Sequence, residues 1–230
     1  MLPPFQKIEP ISKKVRIVTS VREAIVSGAI TSGEQIVEGK LAQQLGVGQG
    51  LIREALIELE HQGFVQRIPF AGTQVTELTV HDAQQIYDIR IELEPLAFFL
   101  AGCNARAQDI SELTEMAEKA EIASKAGDLD SFFENHLAFR KKVWTLSGNR
   151  YLQQVLERLV IPLYALYVIR QTYNLDGILQ TTMDCVEHQD KILTAYEQKN
   201  FGMARETARD FLLRTKEYLA TRHSRRLATE

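Results

Sequence analysis

Glycine divides this chain into two parts that cannot fold alike. Eight of its 13 glycines lie before residue 80 and five after it. A residue without a Cβ collects at turns and helix ends, so the first part is built from short segments and the second from long ones. The seam falls near Glu77 to His81, where Thr79 suits the cap of a following helix and Asp82 stands at that helix's third position. Two domains of ordinary size follow, residues 1–79 and 80–230.

In the first part, Val15, Ile17, Val18, Val21, Ile25 and Val26 recur mostly at helical spacing before Ser27-Gly28 ends the run. After a loop through Ser32-Gly33, a short helix is expected over Glu38 to Leu45, stopped by Gly46. Only Val47 and Gly48 separate it from a third helix carrying Leu51, Ile52, Ala55, Leu56 and Leu59 and ending before Gly63. Two helices joined by so short a glycine-containing turn form a helix-turn-helix. Phe64 to Arg67, a turn through Pro69 to Gly72, and Thr73 to Val75 read as a small β-hairpin. Three helices followed by a hairpin make a winged helix-turn-helix.

The second part reads as about six helices, the first with Ile86, Ile89, Leu93, Leu96 and Leu100 as an inward stripe and Arg90 on its shoulder. Others are expected over Ile110 to Ala126, Leu129 to Leu146, Tyr151 to Tyr173 (kinked at Pro162), Ile178 to Gln198 and Phe201 to Arg222. The breaks between them are short, so consecutive helices are antiparallel neighbours. The expected fold is mainly α: an N-terminal winged helix-turn-helix plus a C-terminal all-α antiparallel helical bundle.

Composition narrows the function classes. Apolar residues make up 45% and charged residues 25%, as in soluble globular proteins. No apolar run reaches the length of a membrane span, and the N-terminus lacks the pattern of a secretory signal. Cys103 and Cys185 are far from any CxxC spacing, which points to a reducing, cytoplasmic setting. There is no HExxH, P-loop, GxSxG or dinucleotide fingerprint, and the histidines are too scattered for a triad, so the expectation is no enzyme and no cofactor. Net charge is −3, and in residues 1–79 eight lysines and arginines balance eight glutamates. Any DNA binding must come from local arrangement rather than bulk charge.

The motifs carry a resemblance. Ile25 to Ile30, Gly33-Glu34, Glu38, Leu41-Ala42, Leu45-Gly46-Val47, Ile52 to Leu56, Leu59-Glu60 and Gly63-Phe64-Val65 together resemble the GntR-family DNA-binding domain. Arg90 to Glu94 with Pro95-Leu96-Ala97, Leu137-Ala138-Phe139 with Ser147-Gly148-Asn149, and Glu187-His188 resemble the FadR-type (FCD) sensing domain of that family. The resemblance implies a ligand-responsive bacterial transcription regulator that binds a pseudo-palindromic double-stranded DNA operator as a homodimer.

A recognition helix offers the side chains of its N-terminal turn to base edges in the major groove. Here these are Gln49, Gly50 and Arg53: arginine matches guanine, glutamine adenine. Lys40 is placed for phosphates, and the small Ala71-Gly72 wing tip for close backbone approach to DNA. Where the family usually has Ser or Thr, Arg, Thr, and Pro or Thr, this chain has Gly48, Gln49, Gly50 and Leu51, and Gly39-Lys40 replaces a common Arg-Glu pair. That departure leaves the operator sequence and the affinity open.

Many FadR-type domains hold a metal with an Asp and three His. The matching positions here are His136, Arg140, His188 and Phe211, of which only His188 keeps the family's residue. A guanidinium repels a divalent cation and a phenyl ring cannot coordinate one, so no metal is expected. His136, Arg140, His188 and Arg90 instead suggest a cationic pocket for a small organic anion, a carboxylate or phosphorylated acid. Three alternatives stand beside this. Arg90 pairs with Glu94 while Arg140 reaches solvent and the histidines are core residues; or a metal still binds through His136 and His188; or the chain is a helical adaptor that has lost sequence-specific DNA binding.

Overall fold

A computed structural model describes residues 13–27, 29–163 and 175–227. These gather into two compact units that divide between Glu77 and Leu78.

The first unit runs α1 (Lys13–Ser27), β1 (Gln35–Ile36), α2 (Glu38–Leu45), α3 (Gln49–His61), β2 (Val65–Ile68) and β3 (Gly72–Val75). Helix α1 packs on α3, and Val21, Ile25, Ile52, Ala55, Leu56, Leu59 and Phe64 are buried. Gly46 ends α2 at φ 64°, a left-handed position that lets its N–H cap the carbonyls of Ala42 and Gln43. That cap sets the tight turn into α3. The hairpin pairs Val65 with Val75 and Ile68 with Gly72, one residue longer at the tip than its hydrophobic pattern suggests. The sheet has three strands, in the order β1-β3-β2. β1 is not legible in the sequence because two residues are too few to show alternation. It is held by its ladder, with Gly33 N donating to Val75 O (3.1 Å) and Val75 N to Glu34 O (2.9 Å).

The second unit contains α4 (Val80–Asn104), α5 (Ala107–Ala126), α6 (Leu129–Leu146), α7 (Arg150–Leu163), α8 (Leu175–Glu197) and α9 (Phe201–Leu227). It is the expected all-helical bundle. Residues 164–174 lie outside the described residues, and with them the second part of the helix expected over Tyr151 to Tyr173. Thr79 and Asp82 form a reciprocal capping box at the start of α4: Asp82 N donates to Thr79 Oγ1 (3.1 Å) and Thr79 N to Asp82 Oδ2 (2.8 Å).

Helix α4 is the centre of this unit and packs on α6, α7 and α9. Its buried face differs from the expected stripe. Ala83, Tyr87, Arg90, Ile91, Glu94, Ala97, Phe98 and Ala101 are buried, whereas Ile89 is 43% exposed and Ile86, Leu93, Leu96 and Leu100 are only partly covered. Reading apolarity alone rotates the face, because the helix turns a bonded ionic pair inward instead of an aliphatic row. Pro95 stands inside α4. Having no N–H, it leaves the Ile91 carbonyl without its helical donor. Arg209 of α9 supplies one, its guanidinium 3.2 Å from Ile91 O.

Candidate functional site

On the first unit, Lys40, Gln49, Gly50, Arg53 and Gly72 are all exposed. The cap of α3 is Gly48, with no side-chain hydrogen bond, so the first N–H groups of the helix are left for an outside acceptor. Arg53 is not a free side chain. Its Nε and one terminal nitrogen lie 3.2 and 2.9 Å from Glu38 Oε2 on α2. Hydrogen bonding and charge from Glu38 push its pKa up. Glu38 therefore orients the guanidinium while part of its donor fork remains. Gly39 and Gln49 fit one another: a Cβ at Gly39 would stand 3.2 Å from Gln49 Nε2. The two departures from the family pattern on α2 and α3 thus meet in space. Lys14 pairs with Glu58, and Arg67 with Glu60, which further reduces the positive field of this unit.

On the second unit, Arg90 of α4, His136 and Arg140 of α6, and His188 of α8 lie in one buried cluster, none more than 3% exposed. Their centre is Glu94. It accepts from Arg90 Nε at 2.9 Å, from a terminal nitrogen of Arg140, and from Trp144 Nε1 at 3.2 Å. Burial alone would raise the Glu94 carboxyl, but Arg140 and Arg90 more than reverse this and hold it below the usual range. Arg140 Nε also donates to His136 Nε2 at 3.2 Å. This makes His136 an acceptor at Nε2, with its proton on Nδ1.

Aromatic rings wall the cluster. Tyr87 lies under Arg90, with the guanidinium carbon 4.5 Å from the ring centre. Phe132 stacks on His136 at 5.6 Å, and Phe211 stacks on His188 at 4.3 Å. Phe98 meets His188 edge-on. Neither nitrogen of His188 has a hydrogen-bond partner among the described residues. Burial first, and Arg140 second, hold both imidazoles well below their ordinary pKa, so both are neutral. The side chain of Gln189 lies beside His136 and opposes that shift.

This geometry decides part of the choice between the two sequence readings of Arg90 and Arg140. Arg90 does pair with Glu94, which corrects the expectation of a buried cation awaiting an external counter-charge. Arg140 does not reach solvent; at 1% exposure it shares the same carboxylate. Two guanidiniums and one carboxylate are thus buried side by side, with both imidazoles neutral. The residues do not fit the metal of the related domains. The Nε2 lone pair of His136 is taken by Arg140, a guanidinium replaces a ligand, and the Phe211 ring covers His188. Glu94 is the residue that sequence reasoning undervalued. Its signal was the i,i+4 spacing to Arg90, which puts both on one helix face.

Comparison with known proteins matches this architecture. Residues 13–75 match the bacterial regulatory proteins of the gntR family, and residues 85–214 match the FCD domain. The HTH-type transcriptional regulator McbR of Escherichia coli (strain K12) is 28% identical over 158 residues, 69% of this chain and 72% of that protein. The uncharacterized HTH-type transcriptional regulator YdhC of Bacillus subtilis (strain 168) is 31% identical over 154 residues, 66% of this chain and 69% of that protein. The solved structure of E. coli McbR/YncC superimposes with a TM-score of 0.77 at 24% identity, covering 93% of this chain and all of that one, and so shares the fold.

Proposed function

This chain belongs to the gntR family of bacterial regulatory proteins and carries an FCD domain, and from that premise we propose that it is a homodimeric regulator whose DNA binding is set by a small organic anion. Its family makes it a transcription regulator rather than an enzyme. Among the described residues no helix is long and apolar enough to cross a membrane.

In this reading α3 enters the major groove. Gln49 and Arg53 meet base edges, Gly50 permits close approach, and Lys40 and the α3 N-terminus hold phosphates, with Gly72 giving the wing's backbone access to DNA. The effector, a carboxylate or phosphorylated acid, binds at Arg90, His136, Arg140 and His188 without a metal. The observation that carries this is the convergence of those four side chains, from three helices, on one buried cluster. An anion there meets two guanidiniums, whose planar forks suit a carboxylate or phosphate, and a neutral His188 able to donate one hydrogen bond. Because the cluster joins α4, α6 and α8, a ligand that binds two packings of these helices unequally shifts the balance between them.

The experiment is a thermal-shift screen of carboxylates and phosphorylated acids on chelator-treated protein, repeated with Arg140→Ala. A hundredfold excess over the dissociation constant stabilises the native state by about 2.7 kcal/mol, and the hits are expected to vanish in the variant. Hits that require a stoichiometric bound metal overturn the metal-free reading.

A further inference from the structure

Among the described residues of the first unit, the tip of the β2–β3 hairpin carries the most exposed large apolar side chain. Phe70 has a relative exposure of 111%, the full area of an isolated residue, and its backbone sits at φ 65°. A bulky side chain in the left-handed region is a steric outlier, normally avoided or given to glycine. The conformation is braced rather than slack. Ala71 N donates to Ile68 O at 3.0 Å, Ile68 pairs with Gly72 across the ladder, and Gln35 Nε2 of β1 donates to Ala71 O at 3.3 Å. The first unit therefore holds an aromatic ring out in water on a strained backbone. The positive φ closes the hairpin turn, but the residue placed there is one that is strained by it, and its exposed ring gains no burial in the free protein. Such strain persists where the surrounding structure over-determines it, and it concentrates at functional sites.

We propose that Phe70 is a DNA wedge: its ring enters the minor groove beside each half-site and presses between base pairs at a deformable step. Three observations select DNA as the occupant. The ring stands on the wing of the gntR-family unit, within the span 13–75 that matches that family. The tip residues Pro69, Phe70 and Ala71 carry no charge, so their side chains offer nothing to a phosphate. The unit as a whole balances its lysines and arginines with glutamates, and Lys14, Arg53 and Arg67 are each paired with one. A reader with so little field must draw affinity from contacts that do not depend on charge. Apolar wedges in the minor groove do this, unstacking a step and bending the duplex so that more protein surface meets DNA. Pyrimidine–purine steps deform most easily, so the wedge adds a sequence preference at positions that α3 does not read.

The test uses full-length protein and a DNA fragment enriched by it from a random-sequence library. 2-Aminopurine is placed at successive steps flanking the half-site, and end-to-end energy transfer reports the bend. The wild-type protein is expected to raise 2-aminopurine emission at one flanking step and to shorten the end-to-end distance. Phe70→Ala should abolish both signals and weaken binding about tenfold or more, while Phe70→Leu keeps most of each. Phe70→Gly tests the strain: it should melt above wild type, because glycine accepts the positive φ, and still bind DNA weakly. Phe70→Ala binding within about twofold of wild type, with the emission unchanged, overturns the wedge. So does a Phe70→Ala protein whose loss of affinity follows a change of oligomeric state seen by light scattering, since the ring then meets protein. A wild-type protein that enriches no sequence refutes sequence-specific reading itself, and the wedge falls with it.

Discussion

Neutral, buried imidazoles make this protein sensitive to acid in a calculable direction. Burial and Arg140 hold His136 and His188 well below the ordinary value of 6.5, so the unfolded chain binds protons that the native state refuses. Their contribution is whole above about pH 6.5 and is lost as the pH falls below it, at up to about 1.4 kcal/mol per pH unit for each histidine. Glu94 acts in the same sense lower down: held below 4.5, its contribution is present above that value and lost as the pH falls past it. Urea unfolding from pH 8 to pH 5, followed by the helical signal, is expected to show stability falling below pH 6.5. His188→Leu should reduce the slope by about one proton. A flat wild-type profile over that window would mean that the imidazoles take up protons in the fold as readily as in the unfolded chain. Glu94 itself shows how a buried charge is tolerated. Two guanidiniums and an indole N–H converge on one carboxylate, and their field exceeds its desolvation.

Helix α4 positions most of this chemistry, and its neighbours compensate for its irregularities. Pro95 opens the backbone ladder and Arg209 closes it from α9. About two turns on, Gly102 lets other elements approach α4 closely. A Cβ there would lie 2.6 Å from Phe201 Cδ1 and 2.8 Å from Tyr196 Cε1. The Tyr196 hydroxyl in turn donates to Phe98 O at 2.8 Å, next to the ring that meets His188. Gly102→Ala should therefore cost about 1–3 kcal/mol despite its better helix propensity, because two rings must shift. Gly50, also helical, has nothing within 4 Å of the same added atom. Gly50→Ala is expected to gain about 0.8–1 kcal/mol instead. Thermal melting of the two variants checks the contrast. Equal and opposite shifts from wild type are not required, but a stabilised Gly102→Ala protein would mean that the contacts around α4 are loose.

As a whole molecule, the protein is expected to act as a two-fold dimer on a pseudo-palindromic site, since symmetry in the protein maps onto two half-sites. With bases and glutamates balanced in residues 1–79, operator affinity should fall with salt less steeply than for a regulator making about ten phosphate contacts. Light scattering and anisotropy titrations over a range of salt concentrations check both statements. A stable monomer at micromolar concentration, or a steep slope, would contradict them. Much of the architecture was readable in the residues themselves. The glycine distribution, the turn at Gly46, the Thr79 cap and the apolar spacing are local features. Local sterics and hydrogen bonding place helices and turns without reference to the rest of the chain. It was the resemblance to the FadR-type domain that brought Arg90, His136, Arg140 and His188 together as a set. What local features could not contain was partnership across distance. That Arg140 turns to Glu94, 46 residues away, rather than to water, that Arg209 repairs the gap made by Pro95, and that Phe70 is left outside every core depend on which faces meet after folding. Burial and low dielectric, which only the packed bundle creates, decide whether a charged side chain is a surface feature or the centre of a site.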